Sequence, residues 1–382
     1  MRKLRYLSEQ FQIFGEFLGA EPFGTGHIND SYVATYDQGG ARIRYLHQRI
    51  NHHVFKEPEA LMENFRRVTE HIWRGLHAAD VPDRSRRCLL LVPTREGMYY
   101  WHGPKGDYWR TAVFIENVAT YDVVKSPTQA YEAARTFGTF QKQLIGLPGG
   151  RLHETIPDFH NTPKRFADFQ KALEADPLNR AAKIKEEIDF AFRREEICPV
   201  LIDLQKTGEI PERIAHNDTK LNNVLLDIKT GEGLCAIDLD TVMPGSALYD
   251  FGDLVRSATS PAAEDERDRS KVRMQIEMFE ALARGYLAST SDFLEPLEIE
   301  LLPFSGKLIS FEIGLRFLTD YLLGDRYFKI QREDQNLDRC RTQFALVRSI
   351  EEQEKEASRI VDKIMNECSR KGQAAIRHNG IL

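Results

Sequence analysis

The stretch IAHNDTKLNNVLLD, from Ile214 to Asp227, constrains this chain more than any other feature. Two short apolar runs enclose a histidine, an aspartate two residues on, a lysine two further and then paired asparagines. Apolar runs this close together predict two strands joined by a tight loop. An aspartate at the start of such a loop can face a hydroxyl and accept its proton. An asparagine five residues later can point back at a cation. Taken alone, the segment also reads as a polar hairpin between edge strands.

The following segment favours chemistry. LCAIDLDTVMPGSALYDFGD opens on an apolar strand that ends at Asp238, where a carboxylate aims into a cleft as a cation ligand must. His216-x-Asp218-x-x-x-x-Asn223 is the catalytic-loop pattern of kinase-like phosphotransferases. In that pattern Asp218 is the base, His216 braces the loop, and Lys220 balances charge on the transferring phosphoryl group. The letters D-F-G, which hold the metal in protein kinases, occur here at Asp250-Phe251-Gly252. Asp238 follows the hairpin directly and Asp250 does not, so Asn223 and Asp238 are the expected Mg²⁺ ligands. Asp250 and Asp253 are expected to fix the loop or cap a helix beginning near Leu254, and Asp240 to face the metal or the substrate.

Composition narrows the setting. A chain of 382 residues suits one large domain or two lobes. The net charge of −6, without a basic tail, argues against nucleic-acid binding. Cys88, Cys198, Cys235, Cys340 and Cys368 are scattered and form no C-x-x-C pair, which points to a reducing compartment and no zinc site. The first residues carry no signal-peptide core, and no apolar window of about 18 residues occurs. A cytoplasmic protein with no membrane span is expected.

Along the chain, EPFGTGHINDSYVATYD reads as strand, glycine turn and strand, and RIRYLHQRI as a third strand. Leu61, Phe65, Val68 and Ile72 have helical spacing, and CLLLVPTREGMYYW and DYWRTAVFIEN look like further strands. Ser126-Pro127 opens a helix running to about Leu144, Thr162-Pro163 a second, and a third is expected over 178–206. Beyond 262 helices are expected at 263–288, 297–324 and 336–370, with frayed ends after that. The expected fold is α+β and two-lobed: a small β-rich N-lobe over 1–117 and a larger helical C-lobe over 118–382, joined near Val118 to Asp122.

With Ile237-Asp238-x-Asp240 and Gly245-x-x-x-x-Asp250 added to the loop, the chain resembles the aminoglycoside phosphotransferase and choline kinase superfamily, with its protein-kinase-like fold. HNDTKLNNVL, IDLDTVMPGSALYDFGD, FGTGHINDSY and GLRFLTDYLLGDRYFK together resemble, more narrowly, the bacterial N-acetylhexosamine 1-kinases. The resemblance implies transfer of the γ-phosphate of ATP, with Mg²⁺, to the anomeric hydroxyl of N-acetylglucosamine or N-acetylgalactosamine. It makes the N-lobe a nucleotide cover, whose Gly24-Thr25-Gly26-His27-Ile28-Asn29 turn brings backbone N–H groups and the His27 and Asn29 side chains near the phosphates.

Where a strand lysine is usual, YLHQRIN offers Arg49, with Glu63 or Glu70 as its helix partner. Glu116 to Val118 would be the hinge that reads adenine. The resemblance also assigns sugar contacts to Arg316 and Tyr327, alongside Asp218 and Asp240; an interhelical ion pair and a packed tyrosine are the plain alternatives. Choline, homoserine or another sugar are rival acceptors, and a non-catalytic ATP- or sugar-binding pseudokinase is a rival class.

Overall fold

The computed structural model describes residues 2–24 and 28–379, so Gly26 and His27 lie outside the described residues. A short helix α1 (Arg2–Ser8) leads into strands β1 (Glu16–Pro22), β2 (Asp30–Gln38) and β3 (Ala41–Ile50). Helix α2 (Pro58–Ala78) follows, and buries the predicted stripe of Leu61, Phe65, Val68 and Ile72. Strands β4 (Trp101–His102) and β5 (Tyr108–Val113) complete an antiparallel sheet in the order β1-β2-β3-β5-β4. The expected strand CLLLVPTREGMYYW forms only single bridges at Leu91 and Thr94 before β4, because Pro93 lacks an N–H and Gly97 turns the chain at φ 85°.

Register decides what the sheet presents to each side. Arg49 lies opposite Trp109 and Gln48 opposite Arg110. Trp109 packs with Leu7 and Phe11 beneath α1, so Arg49 shares that outer face. Gln48 and Arg110 face the other way, toward α2, where the Arg110 guanidinium lies 4.4 Å from the Phe65 ring.

Val118 and Ala119 form β6 (Val118–Ala119). It pairs with β8 (Val224–Asp227), which pairs in turn with β9 (Gly233–Ala236). Helix α3 (Pro127–Gln143) starts as expected: the Ser126 side chain accepts from the Gln129 N–H at 3.3 Å and Pro127 occupies the first turn. Helix α4 (Thr162–Ala175) is capped by Asn161. The single helix expected over 178–206 is two, α5 (Lys185–Phe192) and α6 (Val200–Thr207), because Pro199 cannot donate to a continuing ladder.

Strands β7 (Arg213–Ala215) and β10 (Met243–Gly245) pair with each other and flank the polar loop. Helix α7 (Ala247–Ala258) begins well before Leu254, capped by Ser246, which accepts from the Leu248 N–H at 3.2 Å. The remaining helices are α8 (Ile276–Thr290), α9 (Pro296–Glu300), α10 (Leu302–Leu322) and α11 (Gln335–Asn379). Residues 263–275, expected as helix, are irregular apart from a short turn at 269–271. The architecture is thus an antiparallel N-lobe sheet and a helical C-lobe.

The C-lobe core forms where α3 packs on α8 and α10 on α7 and α11. A Cβ at Gly252 of α7 would meet the Ser305 carbonyl of α10 at 2.5 Å, so glycine is what lets these helices meet. Among the described residues no helix is long and apolar enough to cross a membrane. All five cysteines are free, four of them buried.

Candidate active site

The polar loop is built from its backbone outward. Asp250, in the first turn of α7 and fully buried, accepts from the His216 N–H at 2.9 Å and the Asn217 N–H at 2.7 Å. It also takes the Gln141 amide at 2.5 Å, while its own carbonyl accepts from the Thr219 hydroxyl at 2.6 Å. The aspartate of the D-F-G letters therefore ties down the loop and holds no position in the cleft.

His216 is buried against Phe137 and Phe140. Its Nε2 donates to the Ile237 carbonyl at 2.8 Å, and Nδ1 faces the Asp218 N–H at 3.3 Å. That network assigns the neutral Nε2-protonated tautomer. His216 thereby joins the loop to the strand that ends at Asp238. Asn217, at φ 64°, turns the chain so that Asp218 opens to the cleft, and its amide donates to the Thr241 carbonyl at 2.9 Å.

Asp218, Lys220 and Asn223 come together as their spacing predicts. Lys220 Nζ lies 3.0 Å from one Asp218 oxygen, and the Asn223 amide donates to the other at 3.1 Å and to the Asp218 carbonyl at 2.8 Å. Burial opposes charge on Asp218, but the surrounding positive groups, Lys220 foremost and Arg256 among them, together outweigh it and hold the carboxyl below its usual range. The same attraction raises Lys220.

Asp238 follows β9 in a left-handed conformation, φ 60°, with its side chain exposed. Although it opens to solvent there, it lies deep within the protein mass. Desolvation first, then the Asp240 and Asp218 charges, push it up to about 6. A cation would relieve that crowding. Mg²⁺ commonly takes one or two protein oxygens and completes its shell with water and phosphate, so Asp238 with Asn223 is a sufficient pair. Among the described residues no cluster of three His, Cys, Asp or Glu groups forms a self-contained metal cage.

Two expectations need correction. Asp240 does not face a substrate: it is 2 % exposed, ion-paired with the buried Arg110, and its second oxygen accepts from the Asn29 amide at 2.6 Å. Arg49 does not replace a strand lysine: it pairs with Asp30 and Asp107 on the outer face of the sheet. Neither Glu63 nor Glu70 is its partner, since Glu63 meets His153 at 2.9 Å and Glu70 meets Arg66 and Arg74. On the inner face, beside Asp240, lies Arg110, whose Nε donates to Gln48 at 3.0 Å. Sequence reading passed over it because its partner, Asp240, is remote in the chain.

The remaining N-lobe candidates are placed as follows. Gly24 sits at φ 79°, as a tight turn requires. The Asn29 side chain is used within the protein, donating to Asp240 and accepting from the Asn51 N–H at 3.0 Å. Along the expected hinge segment, the Glu116 carboxylate pairs with Arg44 at 2.5 Å, and the Glu116 and Asn117 carbonyls accept from Arg86 at 3.1 and 2.9 Å. Val118 pairs with Asp227, beside an apolar patch that includes Ile115, Leu225 and Ile237.

Arg316 and Tyr327 are brought together, guanidinium to ring, at 5.9 Å. Phe159 and Phe328 lie at 5.5 and 5.6 Å from the same guanidinium. The turn that carries Tyr327 is held by Asp320, which accepts from the N–H groups of Arg326, Tyr327 and Phe328 at 2.8–2.9 Å. Tyr327 itself is 65 % exposed.

Residues 19–293 match the model of the phosphotransferase enzyme family, which spans the sheet, the polar loop and α7. The chain belongs to that family. Solved structures with the same fold include an aminoglycoside phosphotransferase from Alicyclobacillus acidocaldarius, at 12 % identity and TM-score 0.60, over 94 % of this chain and 95 % of that one. A choline kinase from Cryptosporidium parvum matches at 12 % identity and TM-score 0.52, over 97 % of each chain. A spectinomycin phosphotransferase in an AMP-bound complex matches at 12 % identity and TM-score 0.50, over 89 % of this chain and 97 % of that one. The matched span includes the Asp218–Lys220–Asn223 cluster and Asp238.

Proposed function

We propose that this phosphotransferase is an ATP- and Mg²⁺-dependent kinase that phosphorylates the anomeric hydroxyl of an N-acetylhexosamine. The observation that carries the reading is Asp218, open to the cleft yet held ionised by Lys220, with Asp238 beside it. In this reading residues 1–117 cover the nucleotide and residues 118–382 carry the loop and acceptor site. The AMP in the spectinomycin enzyme supports an adenine nucleotide as donor. The apolar patch beside Val118 would receive the base.

Asn223 and Asp238 would hold Mg²⁺, which neutralises phosphate charge. Asp218 orients the acceptor hydroxyl and takes its proton as the new O–P bond forms and the bond to the ADP oxygen breaks. A carboxylate held at low pKa is a weak base, which suits a hemiacetal hydroxyl better than an ordinary alcohol. Lys220 balances the charge that collects on the transferred group. Arg316 and Tyr327, backed by Phe159 and Phe328, form the sugar-facing wall.

A panel of N-acetylhexosamines, other sugars, choline and homoserine, assayed for ATP turnover, tests the reading. Turnover of N-acetylglucosamine or N-acetylgalactosamine to the 1-phosphate is expected, with none of the 1-O-methyl glycosides. Robust turnover of choline or homoserine alone would discard the sugar; no turnover of any acceptor would favour a binding-only role.

A further inference from the structure

His160, just ahead of α4, takes no part in the roles given above, yet it joins two parts of the site. Its Nδ1 lies 2.8 Å from Glu312 Oε1 and its Nε2 lies 3.0 Å from the Asn217 carbonyl oxygen. Both partners are acceptors. A neutral imidazole has only one N–H, so it can satisfy one acceptor and sets a lone pair against the other. The His160 side chain is 4 % exposed and Glu312 is fully buried, so no solvent donor stands in, and both contacts are hydrogen bonds only if the ring carries two protons. The second Glu312 oxygen accepts from the Thr162 hydroxyl at 2.6 Å, a bond suited to a carboxylate.

We propose that His160 is a doubly protonated positioning residue which, anchored by Glu312 on α10, fixes the Asn217 carbonyl and so aims Asp218 at the acceptor. The proposal rests on the kinase reading above. Asn217 is the left-handed residue immediately before Asp218. Its N–H is held by Asp250, its side chain by Thr241, and its carbonyl by His160, so all three polar groups are fixed from different elements. Arg316 lies one turn beyond Glu312 on α10. The acceptor wall and the catalytic aspartate therefore share one rigid link. The charged and titratable groups around the His160–Glu312 pair are Asp253 and Tyr249 on α7, Arg316 on α10 and Arg165 on α4, with the Tyr249 ring 5.1 Å from the imidazole. Burial works against the charge, and the Glu312 carboxylate together with the Asn217 carbonyl and Asp253 outweighs it, so the group is raised.

The test begins without any substrate. In full-length protein labelled with ¹⁵N-histidine, both His160 ring nitrogens should carry protons from pH 6 to 8, assigned by loss of the signal in His160→Gln. One unprotonated ring nitrogen at pH 7 would overturn the charged pair. In Glu312→Gln the same resonances should turn neutral within that range.

Kinetics then test the positioning. His160→Gln and His160→Ala should lower kcat by roughly 10- to 100-fold, as displacement of a reacting group by about 1 Å can do. KM for MgATP should move by less than about threefold, and Glu312→Gln should fall between wild type and His160→Ala. A folded His160→Gln with wild-type kcat overturns the role. If wild type phosphorylates nothing on the panel, the kinase reading fails while the nitrogen measurement still decides the pair.

Discussion

Asp250 and Asp238 carry opposite burdens, and exchanging each for a neutral residue separates them. The Asp250 carboxylate satisfies three buried N–H donors, from His216, Asn217 and Gln141. A buried donor left without a partner costs about 1–3 kcal/mol. Three such donors come to roughly 3–9 kcal/mol, and removal of a carboxylate that burial itself disfavours offsets part, so Asp250→Ala should lose roughly 3–6 kcal/mol, with the lower end reached if water enters the vacated space. Against a total stability of about 5–15 kcal/mol that is a large share. With a urea m-value of about 3 kcal/mol/M, the midpoint should fall by roughly 1–2 M. Asp238 stands among Asp240 and Asp218 and is raised by its surroundings, so Asp238→Asn removes an unfavourable charge. Its urea midpoint should hold or rise while Mg²⁺-dependent turnover disappears. Urea unfolding of both variants, with calorimetric titration of MgADP, reads the two effects. A wild-type midpoint in Asp250→Ala, or retained Mg²⁺ dependence in Asp238→Asn, refutes the assignment.

Three further outcomes are expected. Arg110→Met strands Asp240 in the interior and should cost about 3–5 kcal/mol, whereas Arg110→Met with Asp240→Leu should recover most of it, as urea midpoints of the cycle would show. His47 is buried between the Ser8 and Thr111 hydroxyls, and burial lowers it from 6.5 to about 4. The unfolded chain then takes up a proton that the fold refuses, so stability is complete above about pH 6.5 and falls toward about pH 4. That slope should flatten in His47→Gln, and an unchanged slope sinks the explanation. Arg316→Leu should raise KM for the sugar while KM for ATP stays near wild type; the reverse pattern would remove Arg316 from the acceptor wall.

The parts of the site written in one contiguous stretch were legible in the sequence. Asp218, Lys220 and Asn223 meet because a tight loop fixes their spacing, whatever surrounds it. Asp238 could be preferred over Asp250 because it directly follows the hairpin. What escaped reading depends on pairs far apart in the chain: Arg110 with Asp240, and His160 with Glu312. A buried arginine in a strand-like run has no local signal apart from being costly to bury unpaired. Arg49 misled because alternation along β3 was not resolved, and a shift of one residue moves a side chain to the opposite face. The start of α7 had a readable signal in Ser246, a cap residue ahead of ALYDFGDLV. The break between α5 and α6 was announced by Pro199.

The central claim is that Asp218 directs phosphoryl transfer to a sugar hydroxyl. It is tested most directly by turnover of ATP with N-acetylglucosamine in wild type and Asp218→Asn, with the product followed by ³¹P NMR. The account predicts a sugar 1-phosphate from wild type. In the variant it predicts kcat lower by about 10²–10⁴-fold with MgADP affinity unchanged. Near-wild-type turnover by a folded Asp218→Asn, or phosphate at a position other than the anomeric oxygen, would contradict it.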